Sequence, residues 1–399
     1  MHGAERTPVT VHEARVVALL RPVLVRGAEE VALLDALGRV VAEDLRSPLP
    51  LPPFTNSQMD GYAVRSEDVA QTPVTLPVAR EIAAAPGDPG LLEPGTAIRI
   101  MTGAPLPVGA DAVVPVEDTR ADGDAVRIER PRAAGEYVRP VGDDLPAGEV
   151  VLPGGTRLAS RHLAAAAASG LDRLRVRTRI RVAVVSTGSE LAAPGAPLGP
   201  GQIPDANGIA LAAAVRSAGA ELVLLDRVAD DTARFAAVLA EAVEMGAEVL
   251  LTSGGISMGA HEVVRDLLEP LGAHVDVLAM QPGGPQATAV YRGVPVICFP
   301  GNPVSSQLSF ELFVAPLLRE AAGLPPRRST TATLDAAVRS VPGRRQFLRG
   351  RRTGPGRVTT VAGPGSHLVA ALAASDVILD IPEDVADLPA GSSVETWEL

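Results

Sequence analysis

Val249-Leu250-Leu251-Thr252-Ser253-Gly254-Gly255-Ile256-Ser257-Met258-Gly259 and Val294-Pro295-Val296-Ile297-Cys298-Phe299-Pro300-Gly301-Asn302-Pro303-Val304-Ser305-Ser306 decide the fold. Each is a short apolar run that breaks into a glycine-rich turn and then resumes as a helix-compatible pattern. An apolar run of this length fits a strand buried on both faces, which belongs to a parallel sheet covered by helices. The turns then fall at the carboxyl ends of strands, where backbone N–H groups and a helix N-terminus favour an anion. A phosphorylated ligand is the expected guest, contacted by Ser253, Gly254, Gly255, Ser257 and Gly259 in the first turn. In the second turn the contacts are Pro300, Gly301, Asn302, Pro303 and Ser305. Asn302 as helix cap and Pro303 as first helical residue fit the start of the following helix.

Outward from these turns, residues 180–323 alternate strand and helix. Strands are read at Arg181 to Ser186, Glu221 to Leu225, Glu248 to Thr252, His274 to Met280 and Val294 to Phe299. Helices are read near Ala206 to Ala218, Thr232 to Met245, Glu262 to Leu271 and Val304 to Gly323. On the amino-terminal side, Val11 to Leu24 and Val31 to Leu45 carry helix-like spacing. Pro48, Pro50, Pro52 and Pro53 then forbid helix, and short β-like runs follow at Pro73 to Ala79, Thr96 to Met101, Ala112 to Val116 and Ala125 to Ile128. An alanine-rich helix from Arg161 ends near Gly170. Leu324-Pro325-Pro326-Arg327-Arg328 reads as a linker, and 330–399 as a small β-barrel with one short helix at Leu368 to Ala374. The chain is therefore expected to be a multidomain α/β protein. Residues 1–48 with 141–178 form an N-terminal helical domain, 49–140 an inserted β-rich domain, 179–326 the parallel α/β domain and 327–399 the C-terminal β-barrel.

Composition narrows the chemistry. At 399 residues and 46% hydrophobic, the chain has material for two to four cores. No run of about 18 apolar residues and no basic-then-apolar leader is present, so cytoplasmic residence without membrane contact is expected. The net charge of −11 and the scarcity of aromatics (3 Tyr, 6 Phe, 1 Trp) argue against nucleic acid as a partner. All 36 basic residues are arginine, which excludes Schiff-base and P-loop lysine chemistry. Cys298, the one cysteine, lies in an apolar strand and reads as a buried small hydrophobe. Carboxylates cluster at turns and strand ends: Asp60, Asp143, Asp144, Glu190, Asp205 and Glu262. Oxygen ligands without His or Cys clusters suit Mg²⁺ shared with substrate phosphates. Among the arginines 344, 345, 349, 351 and 352, all but Arg349 read as a charged strand face, and Tyr62 and Phe54 read as packing residues. His261 reads as solvated.

Pro52-Pro53-Phe54-Thr55-Asn56-Ser57-Gln58-Met59-Asp60-Gly61-Tyr62-Ala63, Arg99-Ile100-Met101-Thr102-Gly103-Ala104 and Ser186-Thr187-Gly188-Ser189-Glu190-Leu191, together with the two glycine turns, resemble the molybdopterin molybdenumtransferase family. These are the MoeA proteins related to the gephyrin E domain. The resemblance spans nearly the whole chain, and the N-terminal motifs separate it from CinA-like relatives of the sheet domain. It implies an elongated four-domain subunit that dimerises, with a site between the sheet domain of one protomer and the inserted domain of the other. It also implies insertion of molybdate into adenylylated molybdopterin with Mg²⁺-dependent release of AMP. Contacts with molybdopterin adenylyltransferase or recipient molybdoenzymes go with that pathway. Carried over, Asp60, Thr102, Asp144, Glu190, Asp205 and Glu262 are the catalytic polar residues, and Glu190 and Asp205 the metal ligands. Thr187, Gly188, Gln281, Arg349 and Ser366 join the substrate contacts.

The chain departs from the resembled pattern where relatives carry Lys-Pro-Gly-Lys-Pro and this sequence has Gln281-Pro282-Gly283-Gly284-Pro285. Ser189 replaces a frequent aspartate, Glu262 stands for an aspartate, and Gly208 stands where an arginine often follows. The missing cations motivate an alternative: a molybdopterin-binding paralogue or scaffold without turnover.

Overall fold

A computed structural model describes residues 6–256 and 262–399. The expected contacts Ser257 and Gly259, and His261, lie outside the described residues. The chain divides into two compact units, one of the residues up to Ala28 with Arg177–Leu399, the other of Glu29–Val176.

The first unit opens with helix α1 (Val9–Leu20), whose Val9, Val16 and Leu20 are buried. The helix tightens into a 3₁₀ turn over Arg21–Leu24 because Pro22 has no N–H to continue the ladder. The unit's centre is a six-stranded sheet built from β1 (Arg181–Thr187), β2 (Glu221–Val228), β3 (Val249–Ser253), β4 (His274–Val277), and, beyond the short β5 (Met280–Gln281), β6 (Pro285–Tyr291) and β7 (Val294–Phe299). The strand order is β2-β1-β3-β7-β6-β4, with β2, β1, β3 and β7 parallel, β6 antiparallel to β7, and β4 antiparallel to β6 and so in the direction of the other four. Helices α2 (Ala206–Ser217), α3 (Thr232–Glu244), α4 (Val263–Leu268), α5 (Pro303–Phe313) and α6 (Ala315–Ala321) complete it. One core gathers Val182, Val184, Leu251, Ile297, Leu211 and Phe310 with α1. A second gathers Ala183, Val185, Leu250, Cys298, Phe235 and Leu239. Consecutive strand residues feed opposite cores, the alternation of a sheet buried on both faces.

The carboxyl-terminal part is a closed barrel. Strands β8 (Ser329–Leu334), β9 (Arg345–Gly354), β10 (Arg357–Thr360), β11 (Val377–Ile381) and β12 (Ser393–Glu398) pair in the cycle β9-β10-β8-β12-β11, and β11 returns to β9. Closure removes the exposed edges of an open sheet. Leu334, Val358, Val377, Leu379 and Val394 fill its interior.

The second unit holds a six-stranded sheet in the order Ala112–Pro115, Gly61–Val64, Ala97–Ile100, Val74–Ile82, Ala125–Ile128, Thr119–Asp122. Tyr62, Val64, Val69, Val114 and Ile128 form its core. Helix Ser160–Ala168 packs with Val41, Leu152, Leu158 and Val176 in a separate cluster.

Four points of the sequence reading are corrected. Val31 to Leu45 is not a helix: a 3₁₀ turn spans Leu34–Ala36, Gly38 takes the left-handed conformation, and Val40 and Val41 bridge to Arg157 and Val176. Strand Pro285–Tyr291 is absent from the sequence reading, because its leading proline and glycine-rich approach mimic a loop. The helix expected over Val304 to Gly323 breaks at Val314, two residues before Pro316, whose ring excludes the i−4 carbonyl. Phe54, expected to pack, is 46% exposed, whereas Tyr62 is buried.

Candidate functional site

The carboxyl ends of the parallel strands open on a cavity of about 1120 Å³. β1 runs into Thr187, Gly188 and Glu190, β3 into Gly254 and Gly255, and β7 into Pro300, Gly301, Asn302, Pro303 and Ser305, and all of these line the cavity. Gln281, Glu262 and Ser366 line it as well. Its volume lies just above the range of roughly 300–1,000 Å³ for small-molecule sites, which suits a ligand of several linked groups.

The turns take their shape from close approach. Gly254 has φ +91°, and a Cβ there would sit 2.5 Å from the Thr187 carbonyl oxygen. Gly188 lies under the Glu190 carboxylate, where a Cβ would meet Oε2 at 2.5 Å. The expectation that the turn amides stand open is corrected in part. Gly188 N–H donates to Val228 O at 3.0 Å and Gly254 N–H to Phe299 O at 3.1 Å, so these two stitch strand ends together. At the start of α5, Asn302 occupies the cap position without a side-chain cap bond, Pro303 has no N–H, and Val304 N–H donates to Ser366 O at 3.0 Å.

Asn207 joins the turns. Its Nδ2 donates to Ser253 Oγ at 3.0 Å and to Gly301 O at 2.7 Å. The carbonyl can only accept, which fixes the amide's orientation and leaves Asn207 Oδ1 buried with no partner among the described residues. A buried acceptor left unmade costs about 1–3 kcal/mol, so a ligand donor at this point is strongly favoured. Asp230, after β2, lines the same cavity, accepting from Ser189 N–H at 3.1 Å while its own N–H donates to Ser189 Oγ at 3.0 Å.

Asp205 is placed differently from the expectation. It is 6% exposed, caps α2 by accepting from Gly208 N–H at 2.9 Å, and is not among the residues lining the cavity. A side chain at Gly208 would meet Asp205 Oδ2 at 2.6 Å and Ser186 Oγ at 2.9 Å, which accounts for glycine at that position. Ser253 is likewise buried behind the lining, held by Asn207.

The arginine reading reverses. Arg349, expected to face ligand, is 2% exposed and donates to the carbonyls of Gly363 and Gly365, holding a loop whose Pro364, Gly365 and Ser366 line the cavity. Burial holds its guanidinium pKa below the usual arginine value. Arg344, read as a charged strand face, lines the cavity together with Arg6 and His367. Strand alternation held the signal: Arg345 turns to Asp380, at 2.8 and 2.6 Å, so its neighbour points elsewhere. Asn207 was legible as the third residue of Asp205-Ala206-Asn207, and Asp230 as the residue just past a strand end.

Cys298 is fully buried in β7 and burial pushes its thiol up to about 12, in keeping with a packing role. In the second unit, Asp60 Oδ1 accepts from both Thr102 N–H and Thr102 Oγ1, each at 2.7 Å. Those bonds, the backbone one foremost, hold its carboxyl below the ordinary aspartate value. Asp60, Thr102 and Asp144 are all exposed.

Three family models match the chain: "MoeA N-terminal region (domain I and II)" over residues 8–170, "Probable molybdopterin binding domain" over 183–320, and "MoeA C-terminal region (domain IV)" over 331–399. Molybdopterin molybdenumtransferase 2 of Mycobacterium tuberculosis is 46% identical over 385 residues, covering 92% of this chain and 94% of the relative. Molybdopterin molybdenumtransferase of Synechococcus elongatus is 36% identical, covering 93% and 94%. The crystal structure of the molybdopterin biosynthesis MoeA protein from Pyrococcus horikosii superposes with a TM-score of 0.84 at 34% identity over 99% of both chains.

Proposed function

The chain belongs to the MoeA family of molybdopterin molybdenumtransferases, and from that premise we propose that its cavity takes adenylylated molybdopterin and molybdate and releases AMP. It is a transferase of molybdenum cofactor biosynthesis. The observation that carries the finer reading is Asn207, which ties two strand-end turns together and offers a buried, unpartnered acceptor to a ligand rich in N–H donors, as a pterin is. The turns at 187–190, 254–255 and 300–305 cradle the pterin and phosphates. The dipole of α5 favours the anionic part at Ser305, whose amide has no acceptor among the described residues. Placement and electrostatics drive this chemistry, with no covalent intermediate on the protein.

Among the described residues, no three His, Cys, Asp or Glu side chains converge on one point. That fits Mg²⁺, which keeps waters and takes one or two carboxylates together with substrate phosphates. Glu190 reaches the cavity and is the first ligand in this reading. Asp205 caps α2 from behind the cavity lining, with one oxygen on Gly208 N–H, so as the second expected ligand it would meet the ion through one of the waters that Mg²⁺ keeps. Mg²⁺ held there would supply positive charge against the phosphoanhydride. Glu190 would orient the phosphates, and Glu262, at the start of α4 and on the cavity wall, would position the attacking oxygen. Asp60, Thr102 and Asp144 are assigned to a second copy of the chain in a homodimer, with Asp60 ionised and pre-oriented by Thr102.

The test incubates the purified chain with adenylylated molybdopterin, Mg²⁺ and molybdate. Molybdate-dependent AMP release is expected, and Asn207→Ala should lower it about 10–100-fold, the worth of about 1–3 kcal/mol. Tight binding without AMP release would overturn the enzyme reading in favour of a scaffold. Mixing weakened Glu190→Gln with weakened Asp60→Asn should raise activity above that of either variant alone if the site is shared between copies. No recovery would place all these groups in one subunit.

A further inference from the structure

The cavity's charges come from separate sources. Its acids, Glu190, Asp230 and Glu262, stand at or beside the strand-end turns, whereas its guanidiniums, Arg6 and Arg344, come from the chain's amino-terminal arm and from the entry to the barrel. Both are fixed to one residue. Ala279 N–H donates to Thr7 O at 2.8 Å, and Ala279 O accepts from Arg345 N–H at 2.9 Å. Thr7 N–H also donates to Val277 O at 3.0 Å, and Thr7 Oγ1 donates to Asp276 Oδ1 at 3.0 Å. Arg6 and Arg344 are thus each one residue away from an anchor on Ala279, and both side chains line the cavity beside the 281–285 loop. Arg6 Nη1 donates to Leu278 O at 3.4 Å and lies 3.7 Å from a Cβ built on Gly284.

That loop carries no charge of its own. Gln281 Oε1 is engaged by Gln346 Nε2 at 3.3 Å, and positions 283 and 284 have no side chain. Neither Arg6 nor Arg344 makes an ion pair among the described residues, although Arg345 beside it is held by Asp380. Two anchored guanidiniums without carboxylates, facing a neutral glycine loop in a shared cavity, suit a small divalent oxyanion, which a planar fork grips through paired N–H donors.

We propose that Arg6 and Arg344 are the cation pair that binds the tetrahedral oxyanion, molybdate, doing from outside the loop what lysines at 281 and 284 would do from within it. This rests on the reading that molybdate is the second substrate. The test is equilibrium dialysis of the full chain against molybdate, repeated with tungstate, at fixed ionic strength and with thermal melting of every variant. Arg344→Gln and Arg6→Gln should each weaken molybdate binding about tenfold or more, and the double variant about a hundredfold, without loss of the folding transition. Gly284 lies outside the left-handed region, so Gly284→Lys in the Arg6→Gln background is accommodated and should restore binding. Wild-type molybdate affinity in the folded double variant would overturn the proposal. The two readings fail separately: arginine-dependent molybdate binding without AMP release sinks the enzyme reading alone. AMP release that is unchanged in the double variant at limiting molybdate sinks the arginine pair alone.

Discussion

The strand-end cavity and the Asp60 turn hold polar groups in opposite ways. Around the cavity, Asn207, Ser253 and Thr187 are buried and bonded into the strand ends, so the site is shaped by the same contacts that pack the sheet. In the second unit, the Asp60 carboxylate is exposed and, among the described residues, takes its side-chain hydrogen bonds from Thr102 alone, beside the end of a neighbouring antiparallel strand. A site built from core contacts cannot be altered without disturbing the fold. One built from a local pair can be silenced with the fold untouched.

The largest effect should come from Gly254→Val. The new side chain collides with the Thr187 carbonyl in a backbone conformation that branched residues avoid, at a cost of about 3 kcal/mol from overpacking and strain. Melting should show reduced stability and dialysis the loss of pterin binding together. If binding falls and stability does not, the cavity is less coupled to the core than its geometry requires. Asp60→Asn should do the reverse, cutting AMP release about tenfold or more with the melting temperature unchanged. A fall in melting temperature with full activity would make the turn structural. The smallest effect separates the units by acidity. His12 is fully buried against Phe313, and burial holds its pKa below the usual value, against the pull of Asp276. The unfolded chain therefore takes up the proton first, and stability declines as the pH falls below about 6.5. Hydrogen exchange should show that decline in β4 and α1 and not in Gly61–Val64, and His12→Gln should flatten it.

The sheet was legible because long apolar runs ending in glycine have few other uses, and the cavity-lining turns came with it. Residues 31–45 misled because apolar spacing alone does not reveal that Val40 and Val41 pair with residues more than a hundred positions away. Arg344 and Arg349 illustrate the limit for the site. Both stand in one basic stretch, and only the pairing of Met280 with Arg345 decides which arginine reaches the cavity and which is buried. Arg6 carried no local signal at all, since its anchor, Ala279, is remote in the chain.

The closed barrel is not self-contained. Its strand β9 begins alongside β5 of the sheet region, and its 363–366 loop meets the first turn of α5 through Ser366 and Val304. For anyone recombining homologous proteins, residues 329–399 are therefore a poor cassette. A swap at the Leu324–Arg328 junction would leave two half-made seams, and chimaeras should inherit 277–285 and 303–306 from the same parent as the barrel.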